Sequence, residues 1–434
     1  MRLGSHPIRA YPLYLLLECG TSFLLGICYA TITVYWVISG RLNPLELLLL
    51  GTVLELSYFL LQLPTGVLAD LVSRRLCTLA GLFIIGLALI MEGLSPAFAN
   101  LMAAQVVLGL GAALNNGAQE AWIAGELAGE LGDERMTGVY LRATQYGLIA
   151  TVAGSLLSGV IALAGLNVPL LTGGSLICLL AIAAAVVMPE HNAQPASPRL
   201  LLIASSARSL LAEQARATHR AVIAVPGLVL LFGMTLFAGM WSESFDRLWG
   251  AFLLRDIKFP QLSGLHPAMW FSLFACAAAL LGLGATQLAK RRTERLGPDS
   301  VAGGLLVLTL GIGAAVVVMA TAHAFAVVVA AYIAVSVLRP VLDPLLSGWM
   351  VTRIDSSVRA TALSAKDMFD SGGQIIGGPV IGVVGTLASI RIALLAGAAA
   401  LAPATACVAL ASRRIRPRTR GTVAQAEAAE AAHP

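Results

Sequence analysis

Apolar residues run along the chain in long stretches, and short polar breaks separate them. A helix rises about 1.5 Å per residue, so about 20 apolar residues cross the hydrocarbon core of a bilayer. The pattern therefore predicts an all-α integral membrane protein with twelve transmembrane helices. We place the spans at 11–39, 45–72, 76–95, 97–125, 135–165, 168–188, 221–254, 267–289, 299–321, 323–350, 358–387 and 389–411.

The polar break at 189–220 is the longest within the chain and divides the predicted spans into six plus six. We expect an N-terminal six-helix half at 1–188, a C-terminal half at 221–411 and a cytoplasmic tail at 412–434. The break contains leucines and spaced arginines, a pattern typical of an amphipathic helix on a membrane surface. A plain cytoplasmic linker is the alternative.

Two glycine pairs indicate that the halves are repeats. The predicted fifth span contains Gly154 and Gly159, and the eleventh contains Gly377 and Gly382, each 223 residues later. Internal repeats of this kind are common in secondary transporters, where the substrate site lies between the repeats. We therefore expect two pseudo-symmetric halves.

The composition supports a membrane protein and excludes a soluble one. Hydrophobic residues make up 58% of the 434 residues and charged residues 12%, whereas soluble domains average about 25% charged residues. Of the 28 lysines and arginines, twenty fall in breaks on the side of the N-terminus and four on the other side. Because basic loops stay in the cytoplasm, we expect both termini there. The net charge of +5 then sets topology and implies no nucleic-acid partner.

The sequence carries no recognisable catalytic site. No G-x-x-x-x-G-K-S/T motif is present, which argues against ATP as the energy source. The six histidines and six cysteines are dispersed without metal-ligand spacing. We expect no enzymatic activity, no metal and no cofactor.

Charged residues within the apolar spans are the strongest functional signal. Such residues are costly in a bilayer and mark transport pathways or proton relays. Acids outnumber bases by four in this set, and a buried carboxylate without a partner tends to take up a proton. Away from the ends of the spans, the acids are Glu18, Glu55, Glu120, Glu243, Asp246, Asp343, Asp367 and Asp370, and the bases are Arg142, Arg247, Arg339 and Lys366.

The candidate proton-coupling residues are Glu18, Glu55 and Asp370. Glu55 lies about 15 Å into its span and Asp370 about 18 Å into its own, so both are central. Glu18 and Glu55 have no obvious partner nearby in the sequence. Other charges are explained equally well as structural pairs that set helix packing: Glu120 with Arg142, Arg339 with Asp343, and Lys366 with Asp370.

The stretch GMWSESFDRLWG, residues 239–250, places three charges in one span. At 100° per residue, Glu243, Asp246 and Arg247 share one face, and aromatic side chains cover the other. From a span that begins near residue 221, Glu243 lies about 33 Å along the helix. We therefore interpret these charges as outer-gate candidates, with Asp246 free to pair with another helix.

One loop motif resembles that of a known family. LPTGVLADLVSRRLCTLAG, residues 63–81, resembles the major facilitator superfamily motif G-x-L-A-D-x-x-G-R-R/K, with Ser73 in place of the usual glycine. The resemblance implies an inner latch between the two halves, formed by Gly66, Asp70, Arg74 and Arg75. Gly66 would permit close helix contact. A simple topology loop is the alternative.

Three further stretches resemble the bacterial drug:proton antiporter branch, which includes tetracycline- and macrolide-efflux-like proteins. They are GTVLELSYFLLQLPTGVLAD, GAQEAWIAGELAGE and SESFDRLW, at 51–70, 117–130 and 242–249. A departure is Gln105, four residues before Gly109, where many such exporters have an arginine. Proton coupling would then have to proceed another way.

The resemblance also implies that helices 1, 4, 7 and 10 line a central cavity. This favours Glu18, Glu120, Arg339 and Asp343 as cavity groups. Uncharged polar residues of helices 4 and 5 are further candidate substrate contacts, for which interhelical hydrogen bonding is the alternative. The substrate-cavity candidates are Asn115, Asn116, Gln119, Glu120, Arg142, Arg339 and Asp343. Aromatic residues that form either a drug-contacting wall or helix packing are Trp122, Trp241, Trp249 and Tyr140.

Taken together, the sequence predicts a secondary active transporter that exports amphipathic, drug-like compounds by proton-coupled alternating access. It would act as a multi-pass monomer in a bacterial inner membrane and would contribute to antibiotic resistance. Three alternatives remain open: an uptake symporter, a lipid transporter on the same fold, and a membrane receptor or scaffold. The surplus of acids within the spans argues against the last.

Overall fold

A computed structural model describes residues 10–127, 133–190, 216, 227–260, 264–296, 300–351 and 356–414. The described residues form twelve long helical units. They are α1 (Ala10–Tyr29, continued by Ile32–Val34 and the π-helical turn Tyr35–Ser39), α2 (Pro44–Leu71), α3 (Arg74–Leu94), α4 (Phe98–Asn115, continued by Ala118–Glu126), α5 (Asp133–Ile161), α6 (Val168–Val187), α7 (Leu228–Asp256), α8 (Pro267–Leu296), α9 (Ser300–Thr321), α10 (Phe325–Val351), α11 (Ser356–Leu387) and α12 (Ile390–Arg414).

The predicted spans agree with these helices to within a few residues at most ends. Eleven of the twelve are long and apolar enough to cross a membrane, judged by length and composition. The remaining one, α11, is more polar because it carries Lys366, Asp367 and Asp370. α8 is longer than its predicted span of 267–289, because the helix continues to Leu296. Nearly all of the predicted linker 189–220 and most of the predicted tail lie outside the described residues.

Local sequence explains where several helices begin and break. Asn43 caps α2 in a capping box with Glu46, and Pro44 occupies the first turn, where its missing N–H is not needed. Ser73 caps α3 by accepting from the Leu76 amide. α4 breaks at Gly117, whose φ of 71° lies in the left-handed region that suits glycine. The break lets the second part of α4 turn toward α1.

Helix packing follows a pseudo-two-fold pattern. α1 packs on α5 and α6 as α7 packs on α11 and α12, and the pairs α3–α4, α3–α6 and α2–α4 correspond to α9–α10, α9–α12 and α8–α10. The predicted glycine repeat occupies equivalent positions in this arrangement. A Cβ at Gly154 would overlap α1 and one at Gly377 would overlap α7, whereas Gly159 abuts α8 and Gly382 abuts α2. The glycines thus allow close approach of the same helix pairs in both halves.

Among the described residues, the two halves meet mainly at one end of the bundle. We name the end where α1 begins and α12 ends the terminal end, and the opposite one the far end. α2 packs on α11 and α5 on α8 across the boundary. The cross-boundary contacts include Leu45 with Thr386, Arg255 with the Leu42 carbonyl, and Cys276 with the Val152 carbonyl. Since these residues lie toward the far end, the far end is closed in this conformation.

Candidate functional site

A cavity of about 570 Å³ lies on the inner face of the C-terminal half. α7 and α10 provide most of its lining, and α11 and α12 complete it. Drug-sized ligands bind in cavities of about 300–1,000 Å³. The polar and aromatic lining residues include Trp241, Ser242, Phe245, Asp246, Trp249, Tyr332, Ser336, Arg339, Asp343, Lys366, Asp367 and Asp370.

Aromatic rings from α7 and α10 form one wall of this cavity. Trp249 stacks on Tyr332 with ring centroids 4.0 Å apart, and Phe245 also stacks on Tyr332 at 6.2 Å. Trp241 stacks on Phe245 at 5.8 Å. The stack offers flat apolar surface next to charged groups. Of the aromatic residues singled out in the sequence, Trp241 and Trp249 lie here. Trp122 is buried elsewhere, where its indole donates to the Pro189 carbonyl.

Asp246 and Arg339 form an ion pair that joins α7 to α10. The guanidinium of Arg339 donates to both carboxylate oxygens of Asp246, with Nη2 2.8 Å from Oδ2. The same guanidinium lies over the Trp241 ring, 5.6 Å from its centroid. The sequence prediction that Asp246 is available to another helix agrees with this geometry. The alternative pairing of Arg339 with Asp343 on one helix is wrong, because the guanidinium points to α7.

A second charged cluster joins α10 to α11 toward the terminal end. Lys366 Nζ donates to Asp343 and lies 3.0 Å from Asp367. The lysine side chain is 8% exposed, whereas both carboxylates are 70% exposed. Asp370 instead accepts from Gln374 at 2.9 Å. The suggested ion pair between Lys366 and Asp370 is therefore not the one formed.

The lining of this cavity is negative overall. It contains four carboxyl groups, two from the α10–α11 cluster, and two basic groups, Arg339 and Lys366. With every group in its ordinary ionised form, two negative charges are uncompensated. A cation is therefore favoured over an anion in this space.

The pair of Glu243 and Arg247 lies at the boundary between the halves. Arg247 Nε donates to Glu243 Oε1 at 3.1 Å, and Glu243 is 2% exposed. A Cβ added at Gly51 of α2 would overlap the Glu243 carboxylate and lie 2.5 Å from Arg247 Nε. The α2 backbone at Gly51 thus packs directly against the Glu243–Arg247 pair. Glu243 lies near the midpoint of Leu228–Asp256, which is deeper than the outer mouth predicted from a span beginning at 221.

Glu55 also lies where the halves meet. Its Oε2 accepts from the Ser371 hydroxyl of α11 at 3.3 Å. The carboxyl group is half-buried, and Tyr58 follows one turn later on the same helix. Glu55 on α2 and Asp370 on α11 thus occupy the two sides of one interhelical boundary. Both remain candidates for proton coupling.

The N-terminal candidates lie apart from the C-terminal cavity. Gln119 Nε2 donates to Glu18 Oε2 at 3.2 Å, which joins α4 to α1. The Glu120 and Arg142 side chains are exposed, and the described ion pairs do not join them. Asn115 and Asn116 lie at the break in α4. Their place in a substrate pathway stays a prediction.

The predicted latch makes its contacts within the N-terminal half in this conformation. Arg74 pairs with Asp70 at 3.1 Å and donates to the Ala121 carbonyl of α4. Arg75 donates to the Ala185 carbonyl of α6 at 2.6 Å. The expectation that Gly66 makes a close helix contact is wrong for the described residues, since none of their heavy atoms outside the glycine's own helix lies within 4 Å of a Cβ at Gly66.

Sequence reasoning missed Glu92, a fully buried acid near the far end of α3. Its exposed fraction is 0%, and its Oε1 accepts from Gln105 Nε2 of α4. Both residues line a second cavity of about 410 Å³, together with Trp36 and Arg247. A signal was present in MEGLS, where one acid interrupts an apolar span.

No protein-family model and no curated protein matches the sequence. Several solved structures of transporters have the same shape. The nucleoside transporter NupG superimposes with a TM-score of 0.71 at 14% identity, over 92% of this chain and 98% of that one. A bacterial homolog to the human lysosomal transporter Spinster, inward-facing and unoccupied, gives 0.73 at 16% identity, over 95% and 98%.

The peptide transporter POT in complex with sulfate gives a TM-score of 0.71 at 16% identity, over 96% of both chains. Identities this low establish the fold without the substrate. The twelve-helix arrangement, its pseudo-two-fold packing and these likenesses agree. The chain is therefore a multi-pass membrane protein with the major facilitator fold.

Proposed function

We propose that this protein is a secondary active transporter that exports cationic amphipathic, drug-like compounds from a bacterial cell in exchange for protons. It would act as a monomer in the inner membrane, with both termini and the terminal end of the bundle in the cytoplasm. Antibiotic resistance would follow where an antibiotic has this chemistry. The drug:proton antiporter branch is part of this proposal.

The cavity of the C-terminal half carries the proposal. It combines the aromatic stack around Tyr332 with carboxylates that exceed the basic groups by two. A flat apolar cation can stack on such a wall, because aromatic faces attract cations and bury apolar area. Carboxylates nearby then favour its charge. Few directional hydrogen-bond donors are required, which suits a range of compounds.

Alternating access would use the boundary between the halves. In the present conformation the far end is closed around the Glu243–Arg247 pair, so the cavity would be loaded from the cytoplasm. Export requires the terminal end to close and the far end to open, with α2 leaving α7 and α11. The motif around Asp70 and Arg74 would then engage the C-terminal half.

Proton exchange follows if a proton and the cationic compound use the same negative charge. Glu55 and Asp370 are the best placed residues, since one lies on each side of the α2–α11 boundary and Asp370 also lines the cavity. A protonated carboxyl loses its attraction for a cation, so compound is released to the outside as a proton binds. Release of the proton to the cytoplasm restores the charge. Glu18 is the third candidate, on α1.

The test is transport in proteoliposomes with an imposed pH gradient and a panel of cationic, neutral and anionic amphipaths. We expect cationic compounds to move toward the more acidic side and neutral ones to move less. Movement toward the less acidic side would instead support an uptake symporter. Translocation of lipid alone would support a lipid transporter, and no movement of any compound would support a receptor or scaffold.

Variants then test the acids. Asp370→Asn and Glu55→Gln should retain downhill exchange of compound and lose accumulation driven by the gradient. Asp256→Asn, at the exposed end of α7, is a matched control because its carboxyl lies away from the cavity and near Arg391. If Asp370→Asn, Glu55→Gln and Glu18→Gln all accumulate compound like the control, these residues do not couple protons.

A further inference from the structure

The second cavity, of about 410 Å³, has no role in the function proposed above. It lies on the far-end side of the Glu243–Arg247 pair, between the two halves. Residues of α1, α3 and α4 form one side of it, and α7 and α8 form the other. The lining residues used below are Trp36, Glu92, Gln105 and Arg247.

Glu92 and Gln105 form a buried polar pair whose hydrogen bonds are incomplete. Gln105 Nε2 donates to Glu92 Oε1, and the two residues are 1% and 0% exposed respectively. Glu92 Oε2 and Gln105 Oε1 both lack a hydrogen-bond partner. The Trp36 indole lies beside the carboxyl group, but its N–H is also without a partner. Buried polar atoms are nearly always satisfied, so each of these oxygens is suited to a ligand.

Arg247 is the cation that faces Glu92, and it already forms an ion pair with Glu243. Its Nε donates to Glu243 at 3.1 Å, and its guanidinium lies over Trp36 at 5.4 Å from the ring centroid. Asp246, which lines the same cavity, is paired with Arg339. One guanidinium therefore serves two buried carboxyl groups, and one negative charge is left over.

The other elements around Glu92 supply no second cation among the described residues. α1 presents Cys28, Tyr29 and Tyr35, and the Tyr35 hydroxyl donates to the Glu92 backbone carbonyl. α2 presents Leu54, and α8 presents Phe271. On the α6 side, Asn167 donates to the Gly93 carbonyl. α4 presents uncharged Gln105.

The amide of Gln105 can serve either protonation state of Glu92. It donates through Nε2 to a carboxylate, and after a half-turn it accepts through Oε1 from a carboxylic acid. An arginine at this position could only donate and would hold the acid ionised. The uncharged Gln105 therefore leaves protonation of Glu92 possible.

We propose that Glu92 is a buried proton-binding site in this protein, with Gln105 as its hydrogen-bond partner and Arg247 as a counter-ion shared with Glu243. The proton enters from cavity water and binds Oε2, so the excess negative charge disappears and Arg247 remains with Glu243. Loss of the proton leaves the two carboxylates to compete for the guanidinium. Hard metal ions need about six oxygen ligands, more than the two unpartnered oxygens here provide.

Protonation of Glu92 can be tested without transport. We suggest infrared difference spectra of the purified protein in lipid nanodiscs across a pH series, read at the carbonyl stretch of protonated carboxyl groups. Glu92→Gln should remove one titrating acid relative to wild type. Asp256→Asn is the control and should leave the signal of a buried acid in place. If Glu92→Gln and wild type give the same titrating band, the proposal is overturned.

A second variant covers the case in which Glu92→Gln does not fold. Gln105→Arg places a fixed donor and a positive charge beside the carboxyl, which should weaken its affinity for the proton about tenfold or more. The band assigned to Glu92 should then disappear at a lower pH than in wild type. An unmoved band would contradict the assignment.

A role of this site in coupling rests on the proposed function. Transport measurements distinguish failure of the proton-binding site from failure of proton antiport. Suppose that a pH gradient drives accumulation of compound by wild type, and that Glu92→Gln loses this accumulation but keeps downhill exchange; Glu92 then couples proton movement to transport. If neither protein accumulates compound while the infrared band titrates, proton antiport is refuted and the proton-binding site is retained. If both proteins accumulate compound equally, Glu92 has no role in coupling.

Discussion

Replacement of Gly51 by alanine should open the far end of the bundle. A Cβ at this position would overlap the Glu243 carboxylate and would lie 2.5 Å from Arg247 Nε. The obstructing atoms are the ends of flexible side chains, but they belong to an ion pair whose glutamate is 2% exposed. Moving the carboxylate aside disturbs its hydrogen bond with the Arg247 guanidinium. In a conformation where α2 has moved away from α7, the added methyl group meets neither side chain.

The size of the effect follows from the pair that must break. Leaving one member of a buried ion pair without its partner costs about 3–5 kcal/mol. Each 1.4 kcal/mol changes an equilibrium constant about tenfold. Taking about 3 kcal/mol, Gly51→Ala should shift the ratio of far-end-open to far-end-closed molecules by about 150-fold. Transport should slow because one of the two conformations becomes rare.

The shift can be measured as a distance between spin labels at the far end. Leu163, beyond α5, and Leu387, at the end of α11, are 56% and 82% exposed and belong to different halves. Cysteines introduced there would be labelled in a background that lacks Cys19 and Cys407, the less buried native cysteines. The longer distances should dominate in Gly51→Ala.

Gly284→Ala is the matched control. A Cβ at Gly284 would meet no heavy atom of the described residues within 4 Å, and the substitution gains the same helix propensity as Gly51→Ala. It should give the wild-type distance distribution. If Gly51→Ala also gives the wild-type distribution, the approach of α2 to the Glu243–Arg247 pair is not a closure contact.

Two further predictions concern the charges. Asp343→Asn should weaken binding of cationic compounds several-fold without affecting neutral ones, because an exposed carboxylate contributes about 1 kcal/mol at most to binding of a nearby cation. Binding is measured by the quenching of tryptophan fluorescence as compound is added. Equal losses of affinity for both classes of compound would argue against a charge effect. Arg247→Met should lower the free energy of unfolding in mixed micelles by about 3–5 kcal/mol, because Glu243 then stays buried without its guanidinium, and adding Glu243→Gln should restore most of it, because Glu92 can take up a proton. A double variant as unstable as the single one would contradict this.

The fold could be predicted from the sequence because the bilayer dictates the length of each apolar run. Gly154 and Gly377 also indicated the repeat, since equal spacing in two halves is a one-dimensional signal. The interruptions at Tyr35 and Gly117 were not predicted. Both lie in apolar or mixed stretches whose hydropathy does not distinguish a continuous helix from a broken one.

The pairing of charges could not be predicted because it depends on helix rotation. Arg339 lies four residues from Asp343, yet it pairs with Asp246 on α7. Glu92 lies two residues from the end of α3, where an acid ordinarily reaches the membrane surface. It is buried because the π-helical turn of α1 packs over it, with Tyr35 bonded to its carbonyl. No local pattern in the sequence carries that tertiary contact.

The central claim is that a cationic compound and protons move in opposite directions through this protein. The most direct measurement uses proteoliposomes with no imposed gradient, a pH-sensitive dye in the lumen and compound added outside. Downhill entry of a cationic amphipath should drive protons out, so the lumen should become alkaline, and Asp370→Asn should abolish this change. A lumen that becomes acidic, or one that keeps its pH while compound enters, would contradict proton antiport.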